Sequence, residues 1–114
     1  ASLAAAARRP ASITATCTVF AESEVISLLS REVPKEEVAA GVLASVAERI
    51  AVMSARIETG EPIAFVGGGA RNEVLRRMLA ARLGRNVEIP ARPQFVNALG
   101  AARAAAHARP LERA

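Results

Sequence analysis

Few residues in this sequence could do chemistry, and most of them gather at one place. In "IAFVGGGARNEV", Ile63 to Val74, four apolar residues run into Gly67, Gly68 and Gly69, then into Asn72 and an amphipathic segment. Three of the 7 glycines thus sit at one strand-to-helix corner. A phosphate-cradling P-loop would need Gly-Lys followed by Ser or Thr, but the only lysine, Lys35, lies on another element. A dinucleotide fingerprint would need a third glycine where Asn72 stands, and an acid further on that is absent. What remains is a backbone without Cβ atoms at a strand's C-terminal end, beside a helix N-terminus. A planar or anionic group could approach the peptide plane there. A tight turn with no ligand is the alternative, and the residues alone leave both open.

The other candidates are isolated. Cys17, taken by itself, reads as a small buried hydrophobe. A metal site would need several converging thiolates or imidazoles, and the chain offers one Cys and one His, His107. A nucleophile would need a partnered base, and none is evident. Glu36 and Glu37 are adjacent, so on a helix they point in different directions and read as surface charges at a helix start. His107, in an alanine-rich stretch, reads as a solvated residue in a last turn.

The elements that must position these residues follow from periodicity and punctuation. Leu3 to Arg9 reads as helical, stopping before Pro10. "SITATCTVF", residues 12–20, is rich in β-branched residues and reads as extended. "AESEVISLLSR" reads as a helix with Val25, Ile26, Leu28 and Leu29 on its apolar face. The strongest pattern begins near Pro34 and runs to about Glu58. Val38, Val42, Val46, Ile50, Met53 and Ile57 recur at spacings of three or four, a stripe expected to face the core, and Thr59, Gly60 and Pro62 end it. Ile63 to Val66 reads as a strand buried on both faces. Asn72 is expected to cap a helix with Leu75, Met78, Leu79 and Leu83 inward and Gly84 at its left-handed exit. "NVEIP" reads as a second strand, and Pro93 opens a last helix, "PQFVNALGAARAAAHA". Strand, helix, strand, helix predicts a parallel pair with a right-handed crossover.

Composition bounds the class. The 114 residues are one domain's worth, and 52% hydrophobic content favours a packed body over disorder. With three Phe and no Trp or Tyr, the core must be aliphatic. The net charge of +4 is carried almost wholly by arginine, and reads as solvated faces. Nucleic-acid binding is disfavoured, because no Trp or Tyr offers a stacking platform and no basic run exceeds two residues. One cysteine excludes an internal disulfide and fits a reducing, cytoplasmic compartment. No apolar stretch is long enough to span a membrane.

Four stretches together resemble one family: "CTVFAESEVISLLS", "KEEVAAGVLASVAERI", "FVGGGARN" and "RPQFVNALGAARAA". In order and spacing they resemble the C-terminal part of the BadF/BadG/BcrA/BcrD-type ATPases, over roughly residues 10 to 106. These are activators of 2-hydroxyacyl-CoA dehydratases and ATPase subunits of benzoyl-CoA reductases. The resemblance implies an α/β, helix-rich C-terminal lobe of the actin/hexokinase-like nucleotide-binding fold, with a short parallel strand pair. It also implies homodimers that bind ATP or ADP with Mg²⁺ and share a [4Fe–4S] cluster between subunits, two cysteines coming from each. ATP hydrolysis in such proteins drives delivery of a low-potential electron to the partner enzyme. It places Gly67, Gly68, Gly69 and Asn72 beside the base and ribose, puts Gln94 at a further nucleotide contact, and gives Cys17 a cluster-ligand role.

The family's phosphate loops have no counterpart in this sequence, which contains no aspartate. Leu43 stands where a His is common, and Asn97 and Arg103 interrupt a usual "GALGAAL". The resemblance therefore leads us to expect one domain over 1–114: a fragment, a separately encoded half completed by a companion chain, or a remnant. By itself such a chain is expected neither to hydrolyse ATP nor to hold a complete cluster, and its exposed sheet edges would favour self-association. A non-catalytic interaction domain built on the same fold is the alternative.

Overall fold

The structure is a computed structural model that describes residues 3–14, 17–57 and 60–108. Among these residues four helices and two short strands follow in the order α1 (Thr18–Ser30), α2 (Lys35–Ser54), β1 (Ile63–Ala64), α3 (Glu73–Leu83), β2 (Val87–Glu88) and α4 (Val96–His107). Single 3-10 turns occupy Leu3–Ala6, Gly68–Arg71 and Pro93–Phe95.

β1 and β2 pair in parallel, Ile63 opposite Val87 and Ala64 opposite Glu88, with α3 as the crossover helix. The ladder runs one bond further, from the Phe65 N–H to the Glu88 carbonyl at 2.8 Å. The expected strand–helix–strand–helix order therefore stands. The expectation that Ile63 to Val66 is buried on both faces does not: Ala64 is exposed, and its neighbours are half-buried. A sheet of two strands has only α3 and α2 to cover it, so one side of β1 stays open.

α2 and α3 form the main helix–helix contact. Ala47, Leu75, Leu79 and Val87 make the fully buried centre, with Leu43, Ile50, Phe65, Met78 and Leu83 around it. A second cluster joins Ala4 to Ala40 of α2 and Val74 of α3, and Leu43 and Met78 touch both. The core is aliphatic, as composition required. Its seam is made of small residues. Gly41 is buried against the backbone of the N-terminal segment, where an added Cβ would lie 2.4 Å from the Ala11 carbonyl oxygen. The Ala11 N–H donates to the Glu37 carbonyl at 2.8 Å, and Arg9 pairs with the largely covered Glu37 carboxylate at 3.7 Å.

This seam corrects the stripe expected on α2. Val38 is buried, but Val42, Val46, Met53 and Ile57 are exposed. Each step of four residues overshoots a turn of 3.6 by about 40°, so Val38 and Ile50 lie about 120° apart around the axis. The core instead takes Ala40, Gly41, Leu43, Ala47 and Ile50, whose small members let α3 and the N-terminal segment approach closely. The helix ends at Ser54, so Arg56 lies beyond it, while Glu58 and Thr59 fall outside the described residues.

Two further expectations are corrected near the N-terminus. Only Leu3–Ala6 of the first alanine-rich stretch is helical, as a 3-10 turn. Of residues 12–20, Ala15 and Thr16 lie outside the described residues, and Thr18 to Phe20 belong to α1 rather than to an extended run. Cys17 supplies the non-helical backbone that starts the helix (φ −105°, ψ 139°), and its side chain is exposed, not buried. Of the expected apolar face of α1, Leu28 is buried, whereas Ile26 and Leu29 are exposed together with Val19 and Phe20.

Glu24 anchors the approach to α1: its carboxylate accepts the Thr14 N–H at 3.0 and 3.1 Å and the Thr14 hydroxyl at 3.2 Å. At the other end, the Glu32 N–H donates to Leu29 and the Val33 N–H to Leu28, with Glu32 at φ 59°. That is a Schellman closure with a glutamate in the place glycine prefers. α4 docks through the Pro93–Phe95 turn, and Asn97 to Ala108 are all exposed.

Candidate nucleotide-facing site

Both strands of the pair end at the same side of the molecule, and the loops that follow them are joined there. The Gly67 N–H donates to the Pro93 carbonyl at 2.8 Å, linking the corner after β1 to the turn after β2. In parallel α/β sheets, the crevice beyond the strands' carboxyl ends is where ligands bind. The structure thus brings Gly67, Gly68, Asn72 and Gln94 to one sheet end, with Gln94 exposed in the turn next to the linking Pro93.

The three glycines do different work. Gly67 sits at φ 93°, ψ −179°, a region essentially closed to residues bearing a Cβ. Gly68 is exposed, and a Cβ built on it would meet nothing within 4 Å, so the peptide face there is open. Gly69 is exposed, but a Cβ on it would point at protein, 3.5 Å from the Phe65 ring and 3.6 Å from Leu75, ordinary contact distances. Bare approach is therefore concentrated at Gly67 and Gly68, with Phe65 beneath Gly69.

The chain reaches α3 through the 3-10 turn. The Ala70 N–H donates to Gly67 at 3.2 Å, the Asn72 N–H donates to Gly69 at 3.0 Å, and Ala70 is buried. Asn72 then caps α3, its Oδ1 accepting the Val74 and Leu75 N–H groups at 3.1 Å each. Because Oδ1 is committed to the cap, the Asn72 amide nitrogen is the part left for a ligand. At the far end Gly84 adopts the left-handed exit (φ 63°, ψ 25°). Glu73, first residue of α3, accepts hydrogen bonds from Arg76, one of them at 3.0 Å. That contact holds its carboxyl below the usual carboxylate range.

Cys17 is not part of this assembly. It starts α1, whose principal packing partner is α2. Among the described residues no three His, Cys, Asp or Glu side chains converge as a metal site. A [4Fe–4S] cluster takes four thiolates, and this chain has one cysteine, so its residues do not fit a complete cluster. What they offer is one exposed thiol. At the glycine corner the space over Gly68, which any side chain would enter, leaves the peptide open to a planar group. His107 is exposed, with Nδ1 2.7 Å from the Arg103 carbonyl, as a solvated last-turn residue should be.

A groove of about 700 Å³ lies elsewhere, between residues 10–14 and α2, with Arg82 of α3 at its rim. It is lined largely by aliphatic and small side chains, with the Glu48–Arg82 ion pair beside it. The glycine corner is the stronger candidate, because it joins two strand ends and demands its backbone conformation. Sequence reasoning missed Arg92, which stands at the corner's edge in the left-handed region. The dipeptide Arg92-Pro93 gave no signal of it, because a residue before proline is expected in the extended region.

Comparison with known proteins places these features. Residues 1–105 match the BadF/BadG/BcrA/BcrD ATPase family. The chain is similar to the 2-hydroxyisocaproyl-CoA dehydratase activator of Clostridioides difficile, at 45% identity over 91 residues, which are 80% of this chain and 34% of that protein. It is likewise similar to the (R)-2-hydroxyglutaryl-CoA dehydratase activating ATPase of Acidaminococcus fermentans, at 39% identity over 102 residues, 90% of this chain and 39% of that one. The chain thus spans little more than a third of the length of these relatives. Among solved structures, the C. difficile activator with bound ADPNP superposes with a TM-score of 0.81 at 34% identity, covering 97% of this chain and 44% of that one. Its fold is the helix-rich, actin-like α/β fold of activator ATPases, and the chain belongs to the BadF/BadG/BcrA/BcrD ATPase family.

Proposed function

We propose that this chain is the adenosine-facing part of an ATP-dependent activator that delivers low-potential electrons to a 2-hydroxyacyl-CoA dehydratase or a benzoyl-CoA reductase. The observation that carries the reading is the open peptide face at Gly67 and Gly68, held at the joint of two parallel strand ends. The base and ribose lie against that face, with the Asn72 amide nitrogen and Gln94 as polar contacts. Support comes from the relatives, which are dehydratase activators, and from the similar structure that holds ADPNP.

In this reading the phosphate loops and the Mg²⁺ site are supplied by protein outside this sequence, since the chain has no aspartate to organise the metal. That protein is either the rest of a longer ATPase or a companion chain in the cytoplasm. Cys17 contributes one thiolate to a [4Fe–4S] cluster shared across a homodimer, the remaining ligands coming from other segments. No hydrolytic step is assigned to residues of this chain.

Thermal unfolding with and without ADP tests the reading. A ligand at about 100 times its Kd stabilises the fold by about 2.7 kcal/mol, which raises the midpoint by several degrees. A midpoint unmoved by millimolar ADP contradicts it.

A second reading has its own observation. Val19, Phe20, Ile26 and Leu29 on α1, with Phe95 and Leu99 at the start of α4, are exposed large apolar side chains. They suit a non-catalytic domain that kept the fold's association surfaces. Self-association in sedimentation without any ADP response would favour it.

A further inference from the structure

The left-handed arginine at the edge of the glycine corner has no structural need to be an arginine. Arg92 sits at φ 54°, ψ 57°, where glycine or asparagine would rest without strain, and it precedes a proline, which restricts it further. The turn it makes is useful, because it leads directly into Pro93, whose carbonyl receives the Gly67 N–H. A glycine would make the same turn. Glu32 shows that a charged residue can hold this conformation away from any site, so what marks Arg92 is its place at the joint of the two loops, beside the open face of Gly68.

The electrostatic setting indicates what that work is. Residues 65–72 and 89–95, which form the two joined loops, carry Arg71 and Arg92 and contain no Asp or Glu; the carboxylates that flank them are Glu73, held by Arg76, and the exposed Glu88 at the end of β2. Both arginines are exposed, and among the described residues neither pairs with a carboxylate. Arg9, Arg76, Arg82 and Arg85 each meet a glutamate, whereas Arg8, Arg31, Arg56 and Arg103, like Arg71 and Arg92, are in no such pair among the described residues, so it is position beside the corner that sets Arg71 and Arg92 apart. The corner is therefore a locally cationic mouth beside the open face of Gly68. An arginine rooted one residue from the joint is long enough to reach over that face.

We propose that Arg92 selects for charge at this site, favouring the anionic nucleotide over the uncharged nucleoside. The inference rests on the adenine-nucleotide reading above and adds to it a residue that the glycines and Asn72 do not supply. A guanidinium facing a phosphate oxygen makes a charge-assisted hydrogen bond, and in a solvated mouth its contribution is modest and salt-dependent.

The test is calorimetric titration of ADP and of adenosine into the wild-type chain, Arg92→Gly, Arg92→Lys and Glu32→Gly. Arg92→Gly is expected to weaken ADP binding about three- to tenfold and leave adenosine binding unchanged, while its thermal midpoint holds or rises because the strain is gone. Arg92→Lys keeps the charge and should keep most of the preference for ADP. Glu32→Gly relieves the same kind of strain at the end of α1 and should leave both affinities alone. The inference is overturned if Arg92→Gly binds ADP like the wild type. It is equally overturned if ADP and adenosine weaken together, because loop shape rather than charge would then be responsible. If the wild type binds neither ligand, the nucleotide reading itself is refuted in that first arm, and the inference falls with it.

Discussion

Replacing Gly41 by alanine adds one methyl group to the middle of α2, and helix propensity alone would make the protein more stable by about 0.5–1 kcal/mol. The packing reverses the sign. The new Cβ would lie 2.4 Å from the Ala11 carbonyl oxygen and 3.1 Å from the Ala11 carbonyl carbon, and both are backbone atoms with no rotamer to turn aside. Segment 9–11 would have to lift from the helix. That strains the Ala11–Glu37 hydrogen bond, worth about 0.5–1.5 kcal/mol, and overpacks the seam at about 1–3 kcal/mol. The net expectation is a loss of about 1–3 kcal/mol, or roughly 4–12 °C in thermal midpoint for a domain of this size. Gly100→Ala is the matched control, since it makes the same change inside α4, where an added Cβ meets nothing within 4 Å. It should raise helicity and cost nothing. Thermal and urea unfolding of both variants would decide the matter. If Gly41→Ala proved as stable as the wild type, the N-terminal segment would not be packed on α2 as described.

Three other perturbations follow from the same contacts. Asn72→Ala removes the oxygen that accepts the Val74 and Leu75 N–H groups and should cost about 1 kcal/mol in urea unfolding, whereas Asn72→Asp should retain most of the cap. Leu79→Ala, at the fully buried centre between α2, α3 and β2, should cost about 2–5 kcal/mol; a loss below 1 kcal/mol would mean that this centre is not packed. Glu73 has its pKa lowered in the folded state by the hydrogen bond from Arg76, so its contribution is present above the unfolded carboxylate pKa and fades as pH falls through the folded one. Acid titration of helicity should therefore show a late component, at a pH below that of the ordinary carboxylates, that Glu73→Gln removes, and an unchanged profile would show that the pair adds nothing.

The parts that were legible in the sequence are those governed by local chemistry. Asn72 before an apolar-periodic run and Gly84 after it marked both ends of α3, because capping needs a side-chain oxygen at one end and a left-handed residue at the other. Gly67 was legible as a place where a side chain is excluded, although at the nearby Gly69 a Cβ would meet Phe65 and Leu75 at ordinary contact distances. What failed depended on partners. The valines of α2 carried the hydrophobic signal, yet burial went to Ala40, Gly41 and Ala47, because close approach of α3 and residues 3–11 selects small side chains. Cys17 was misplaced for a related reason. Its apolar character suggested the interior, whereas its position at the turn into α1 leaves it in solvent. Residues 12–20 were β-branched enough to read as extended, and joining α1 overrode that preference at Thr18 to Phe20. Arg92 could not be read at all, since nothing in a sequence of arginine then proline announces a positive φ.

The most direct check of the central claim is calorimetric titration of ADP into the wild-type chain and into Gly68→Val. Gly68 is a clean probe because a side chain there meets no protein atom within 4 Å and its backbone is not in the left-handed region. The variant should therefore fold with an unchanged thermal midpoint. The account predicts saturable binding by the wild type and a loss of at least about tenfold in Gly68→Val, because the valine fills the space the adenosine needs. Equal binding by the two proteins, or no binding by the wild type, would contradict it.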